Sequence, residues 1–290
     1  MKHTGTISGS RAGPDLTGDL VDLIHHMQSS KEPFVLATVV RTISVTAAKA
    51  GAKAVISSEG EIVGGWIGGG CAKSAVIKAA KTAFDDGEAR LISIQPADLL
   101  SELGVEPGEE REGVQFAKNM CPSQGTMDIF IEPILPRPQL AVFGASPVAL
   151  ALANQGPTIG FDVTICGPLE DLDGFPAEMR RNNGFNIITS NSADTYIVVS
   201  TQGRGDLAAL EAAVKTNARH VGFVGSRRKI EALKSKLKDQ GVSFDALERI
   251  KGPAGLDLGA ITPEEIALSI LAELLMVRRK NQRLSRIQHV

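Results

Sequence analysis

Two kinds of hydrophobic pattern follow one another along the chain. In the first half, β-branched and other apolar residues crowd "PFVLATVVRTISV" and "GAKAVISSEGEIVGGWIG". That density predicts strands, with Ser58, Glu59 and Gly60 as a hairpin turn. "GDLVDLIHHMQSS" is read as a helix, after an opening stretch rich in Gly, Ser and Thr with no hydrophobic period. A second helix is predicted from about Cys71 to Asp86. "ARLISIQP" and "GTMDIFIEPIL" read as further strands, joined by a polar connection through Cys121. "PRP" at 136–138 cannot continue a strand ladder, so the expected boundary separates a domain at 1–136 from one at 137–290.

After that boundary, strands and helices alternate. "QLAVFG", "FDVTICG", "FNIITS", "DTYIVVST" and "HVGFVG" are short, nearly continuous apolar runs separated by helix-like segments. Runs of that kind suit a parallel sheet covered on both faces, so the second half is predicted to be Rossmann-like. Its last helix is marked by Thr262 as N-cap, Pro263 at the first helical position and Glu265 completing a capping box. The fold class expected is α/β: an N-terminal mixed α/β domain followed by a Rossmann-like parallel-sheet domain.

Composition narrows the function classes. The chain has 290 residues, 43% of them hydrophobic, and a formal net charge of -2, which gives no global basic surface for nucleic acid or anionic lipid. No apolar run is long enough to cross a bilayer, and the opening residues lack the apolar core of a signal peptide, so a cytoplasmic location is expected. Three cysteines, Cys71, Cys121 and Cys166, form no CxxC pair and no disulfide framework. His25 and His26 point to different helix faces, and no histidine has a partner at metal-ligand spacing. His220 begins a strand and Cys166 lies within one, so both are read as structural. Trp66, the only tryptophan, is assigned to the core.

Three turns could carry chemistry. "GGWIGGGCAKSAVIKAA", residues 64–80, leads from a strand into a helix. Unpaired N–H groups there, together with the helix dipole, suit a phosphate that Gly68, Gly69 and Gly70 would allow to approach closely. Cys71, at the helix start, is a candidate nucleophile or soft metal ligand; the plainer alternative is a tight turn with a small buried thiol. The second turn runs through Gly144 and Ser146. Against G-x-G-x-x-G it puts Ser146 where the second glycine would admit a pyrophosphate, and the next strand ends in Cys166 and Gly167 instead of an acid. Asp171 and Asp173 come later. Ordinary NAD(P) binding is therefore the disfavoured alternative. The third turn, "GSRRK", places Ser226, Arg227, Arg228 and Lys229 at a helix start, where an anion would relieve the opposition between cations and dipole; solvated surface charge is the competing reading.

"GGWIGGGCAKSAV", "MCPSQGTMDIFIEP", "LAVFGASPVALAL", "VGFVGSRRK" and "GPAGLDLGAITPEEIALSILAELL" occur in this order and resemble the XdhC/CoxI family, accessory proteins of molybdenum hydroxylases such as xanthine and carbon monoxide dehydrogenases. The resemblance implies a chaperone rather than a catalyst. Such a factor binds the molybdenum cofactor, as molybdopterin or a dinucleotide form, supports its sulfuration with a cysteine desulfurase, and delivers it to an apo molybdenum hydroxylase. A homodimer is one assembly open to it. It also implies a functional Cys121 beside Cys71, and a cofactor held against residues 68–71 near the interdomain cleft. Three positions depart from the family pattern. Lys73 stands where an acidic residue is usual, Ser146 and Pro147 end the usual "GAGH" turn, and Gln202 replaces the histidine of a "TH" pair. The alternatives are an NAD(P)-dependent oxidoreductase and a scaffold that docks a partner without holding a cofactor.

Overall fold

The apolar runs of the first half assemble into one seven-stranded sheet and those of the second half into a six-stranded one. The computed structural model describes residues 20–122, 124–187 and 194–287, with side chains described as far as Lys280. It divides into two compact units, Met1–Leu135 and Pro136–Val290.

The first unit runs α1 (Leu20–Ser29), β1 (Phe34–Ile43), β2 (Lys53–Ser57), β3 (Ile62–Gly65), α2 (Gly70–Asp86), β4 (Arg90–Gln95), α3 (Ala97–Leu103), β5 (Glu110–Arg111), β6 (Val114–Lys118) and β7 (Thr126–Ile134). Its strand order is β3-β2-β1-β7-β4-β6-β5. All neighbours are antiparallel except β4 and β6. Alternation along β1 separates the two faces. Val35, Ala37 and Val39 pack under α2 with Ile92, Ile94, Ile129 and Ile131, and Val76, Ala79, Ala80 and Ala83 supply the helix side of that core. Phe34 and Leu36 point the other way, against Met27, Leu23 and Ile24 of α1.

The connection from β4 to β7 differs from the expected polar link, because it contains α3, β5 and β6. β6, "VQFAK", is half-buried and mixes polar with apolar residues, so it carries no strong hydrophobic signal; its pairing with β4 makes it a strand.

The second unit runs β8 (Gln139–Phe143), α4 (Pro147–Gln155), β9 (Asp162–Gly167), β10 (Arg181–Asn183), β11 (Thr195–Val199), α5 (Asp206–Val214), β12 (His220–Phe223), α6 (Arg227–Asp239), α7 (Phe244–Glu248), β13 (Ile250–Lys251) and α8 (Pro263–Ile287). Its order is β10-β9-β8-β11-β12-β13, all parallel, the Rossmann order with its reversal between β8 and β11. Leu140, Val142, Tyr196 and Val198 face α4 and α8, whereas Ala141, Phe143, Ile197 and Val199 face α5 and α6. Burial on both faces explains the continuous apolar strands.

One predicted strand falls elsewhere. Phe185 to Ile187, the start of "FNIITS", form no strand, and residues 188–190 lie outside the described residues. The Phe185 ring packs 5.6 Å from that of Phe143, and Phe185 and Ile187, both partly buried, lie against the core on that face of the sheet. The sheet edge is instead the polar β10, Arg-Asn-Asn, which no hydrophobic count reveals. Among the described residues no helix is long and apolar enough to cross a membrane.

Candidate functional site

Strand register gathers several turns at one edge of the first unit's sheet. Ile43 at the end of β1 lies opposite Thr126 at the start of β7, and Gln95 and Lys118 end the parallel strands β4 and β6 together. A methyl group placed on Gly68 would lie 3.7 Å from Met127 Cε and 3.8 Å from Ala47 Cβ. One placed on Gly125 would strike Val45 O at 2.4 Å and Thr46 Cγ2 at 2.7 Å. The Gly-Cys loop and the loop carrying Cys121 therefore flank the same segment, Val45 to Ala47.

The glycines of "GGWIGGG" have different reasons. A side chain at Gly65 would strike the Lys53 backbone at 2.2 Å, so packing requires that glycine, whereas one at Gly64 would meet the tip of the Leu23 side chain at 2.4 Å and push it aside. Gly68 has φ +116°, which L side chains avoid. Gly69 and Gly70 are different: a Cβ on either meets nothing within 4 Å, and Gly69 has φ −79°. Packing within the protein does not demand glycine at these two positions. Gly69 is the N-cap of α2 and provides no side-chain cap, which leaves the first N–H groups of the helix without a side-chain acceptor.

Cys71 follows in the first turn of α2 and is partly exposed, while Cys121 is exposed. Lys73 is exposed too. Trp66 does not join the core: it is 55% exposed beside this loop, as are Val45 at 72% and Met120 at 77%. The reason is geometric. Trp66 sits just past the end of β3, where its N–H bonds Lys53 O, and the buried member of the pair is Ile67.

Asn119 fixes the Cys121 loop. Its N–H donates to Gln95 O, its side-chain amide donates to Gly125 O at 2.6 Å, and its side-chain oxygen accepts the Cys121 N–H at 2.9 Å. This is an Asx turn, and Asn two residues before Cys is the local signal for it. Behind the loop lies a polar chain with three buried members and an exposed end: Gln95 donates to Ser93 Oγ, Ser93 donates to Asp128 at 2.6 Å, and the exposed Arg41 donates to the other carboxylate oxygen at 2.5 Å. These residues are not apparent from the sequence, because separate strands supply them.

In the second unit the β8–α4 turn lies at the topological switch point. Gly144 has φ +113°, and a side chain there would meet Ser200 O at 2.5 Å. Ser146 is buried as the N-cap of α4: it accepts the Ala149 N–H at 3.0 Å and shares a hydrogen bond of 2.6 Å with Ser200 Oγ. Its hydroxyl is committed inward, where a dinucleotide fingerprint would have an open glycine. Asp171 pairs with Arg204 at 3.2 Å and Asp173 is exposed.

Ser226 caps α6 through the Lys229 N–H, and Arg227 and Arg228 stand exposed at that helix start. Lys229 departs from the expected three-cation cluster. Its ammonium lies 2.7 Å from Asp206 Oδ2 and 5.6 Å from the centre of the Phe223 ring. Burial raises the Asp206 carboxyl, but hydrogen bonds from Lys229, Thr201 and the Gly203 N–H outweigh it and hold the group below the usual carboxylate range. Burial pushes the Cys166 thiol up to about 12, in keeping with its place in the core. Among the described residues no group of three or more His, Cys, Asp and Glu is placed to hold a metal ion.

Two family models match the chain in order: one described as the XdhC and CoxI family over residues 27–95, the other as the XdhC Rossmann domain over residues 140–274. YqeB, an uncharacterized protein of Escherichia coli (strain K12), is 28% identical over 254 residues, covering 85% of this chain and 44% of that protein. A probable xanthine dehydrogenase subunit of Bacillus subtilis (strain 168) is 27% identical over 168 residues, covering 53% of this chain and 47% of that protein. The matched region thus spans less than half the length of either relative. A solved structure of a xanthine dehydrogenase from Bacillus halodurans aligns over 90% of this chain and 96% of its own, with 18% identity and a TM-score of 0.43.

Proposed function

The chain belongs to the XdhC/CoxI family, and on that premise we propose that it is an accessory factor that binds the molybdenum cofactor and supports its sulfuration and insertion into a molybdenum hydroxylase of the xanthine dehydrogenase type. One observation carries the reading. The start of α2, without a side-chain cap, is built from two glycines with open space at their Cβ positions, Gly69 at the N-cap and Gly70 at the first helical position, and the partly exposed Cys71 comes next, on the sheet edge that also holds Cys121.

The residues fit the group. Backbone N–H groups of Gly70 and Cys71, at the positive end of the α2 dipole, would hold its phosphate, and the missing Cβ of Gly69 and Gly70 leaves room for it. The sulfur atoms of Cys71 and Cys121 are soft donors suited to molybdenum or to sulfur in transit. When bound, the cofactor supplies a metal centre able to take up sulfur. The protein's part is to hold the anionic end and to keep two thiols nearby, one on the first turn of a helix and one on a loop fixed by Asn119. The sulfur donor is a cysteine desulfurase and the recipient is the apo hydroxylase.

The test is pterin and molybdenum analysis of the purified protein after co-expression with the cofactor-synthesis genes. Wild-type protein is expected to carry pterin near one equivalent, and Cys71→Ser to lose most of it or to lose activation of the hydroxylase. Pterin-free wild-type protein that still activates the hydroxylase would replace this reading with a docking scaffold.

A further inference from the structure

The alanine-rich seam of α2 lies over β1, β7 and β4 and leaves the β6 side of the sheet less covered. There the first unit has a cavity of about 170 Å³. Ala75 on α2, Ile92 on β4, and Phe116 and Ala117 on β6 give it an apolar lining. Lys78 and Lys118 stand at its polar margin beside Gln115, and no carboxylate lines it. Among the described residues neither lysine ammonium is paired with a carboxylate.

Position ties this cavity to the cysteine edge. Cys71, Ala75 and Lys78 recur at i, i+4 and i+7, so they share one face of α2, with Cys71 one turn above the cavity. Lys118 ends β6 opposite Gln95, whose carbonyl accepts the Asn119 N–H, and Cys121 lies three residues further on. The volume is close to that of cavities, about 150 Å³, that admit a benzene ring. Apolar walls suit the faces of a ring, and two unpaired cations suit a negative substituent on it.

We propose that this cavity is a binding site for a planar ring compound, of one or two fused rings, that carries an anionic group placed between Lys78 and Lys118. The proposal rests on the reading of the Cys71 edge as a ligand-holding site, and it names the class of group that the site accepts.

The probe is pterin-6-carboxylate, a fluorescent planar anion, titrated into the full chain. Saturable quenching is expected. Ala75→Trp fills the cavity from the helix and should abolish it. Gln115→Trp fills it from the strand, away from the α2 core, and should do the same if the first variant folds poorly. Lys78→Gln with Lys118→Gln should weaken binding roughly tenfold and flatten its salt dependence. Absence of saturable binding to the parent, or parental affinity in a folded cavity-filling variant, overturns the proposal. Pterin analysis separates the two readings. Protein that carries pterin and retains it in both filled variants overturns the cavity alone. Pterin-free protein whose probe binding is lost on filling overturns the cofactor reading alone.

Discussion

Asn119 holds Cys121 from two residues away, accepting its N–H at 2.9 Å while the same side chain donates to Gly125 O at 2.6 Å. Each such bond contributes about 0.5–1.5 kcal/mol net. Asn119→Ala should therefore cost about 1–2 kcal/mol and speed amide exchange at Cys121. Unaltered exchange at that amide would show that the loop is held by something else.

Gly68 and Gly69 should respond in opposite ways to alanine. Gly68→Ala forces a side chain into φ +116° and should lower stability by about 1–3 kcal/mol. Gly69→Ala meets open space at φ −79°, so its melting temperature should stay close to that of the parent. Its pterin content should nonetheless fall. Full pterin retention in folded Gly69→Ala would remove close backbone approach from the mechanism.

Ser146→Ala removes the α4 N-cap and strands the buried Ser200 hydroxyl. The expected loss is about 2–3 kcal/mol, from the cap and from one buried group left without its partner. Urea unfolding measures it, and a midpoint equal to the parent's would refute the assignment.

Glu273 of α8 lies 2.8 Å from His220 Nε2, receives the Gly255 N–H at 2.8 Å and pairs with Lys251. Burial raises its carboxyl, but His220 and Lys251 together outweigh burial, so its folded pKa lies below that of an exposed glutamate. A depressed folded value means that the unfolded state binds the proton first on acidification. The stabilisation is complete above the unfolded pKa of about 4.3 and is lost as pH falls through the folded value. Glu273→Gln should cost about 2 kcal/mol at neutral pH and show a shallower acid limb in unfolding measured from pH 6 downward. Parallel pH profiles for the two proteins would contradict this.

Arg227 and Arg228 stand exposed at the start of α6, whereas Lys229 is engaged by Asp206. If the pair holds a phosphate, Arg227→Ala with Arg228→Ala should weaken AMP binding about tenfold and reduce its salt dependence. Equal affinity and equal salt slope in the folded double variant would make them ordinary surface charge.

Features that depend on neighbours along the chain are legible in its sequence. Apolar runs mark β8, β9, β11 and β12, since strands buried on both faces must be apolar throughout. Helix starts are legible because caps are built within four residues: Thr262 accepts the Glu265 N–H at 3.3 Å, and Glu265 accepts the Thr262 N–H at 3.0 Å. The glycine cluster is plain in the sequence, but the separate reasons for its members are not. Gly65 is set by the Lys53 backbone of β2, Gly144 by Ser200 at the end of β11, and only the folded chain shows that Gly69 and Gly70 face nothing. Folding also makes strands of β6 and β10, exposes Trp66, pairs Lys229 with Asp206, and sets Cys71 and Cys121 on either side of one segment. Each of these turns on a partner distant in sequence, and periodicity and capping carry no information about which distant groups folding brings together.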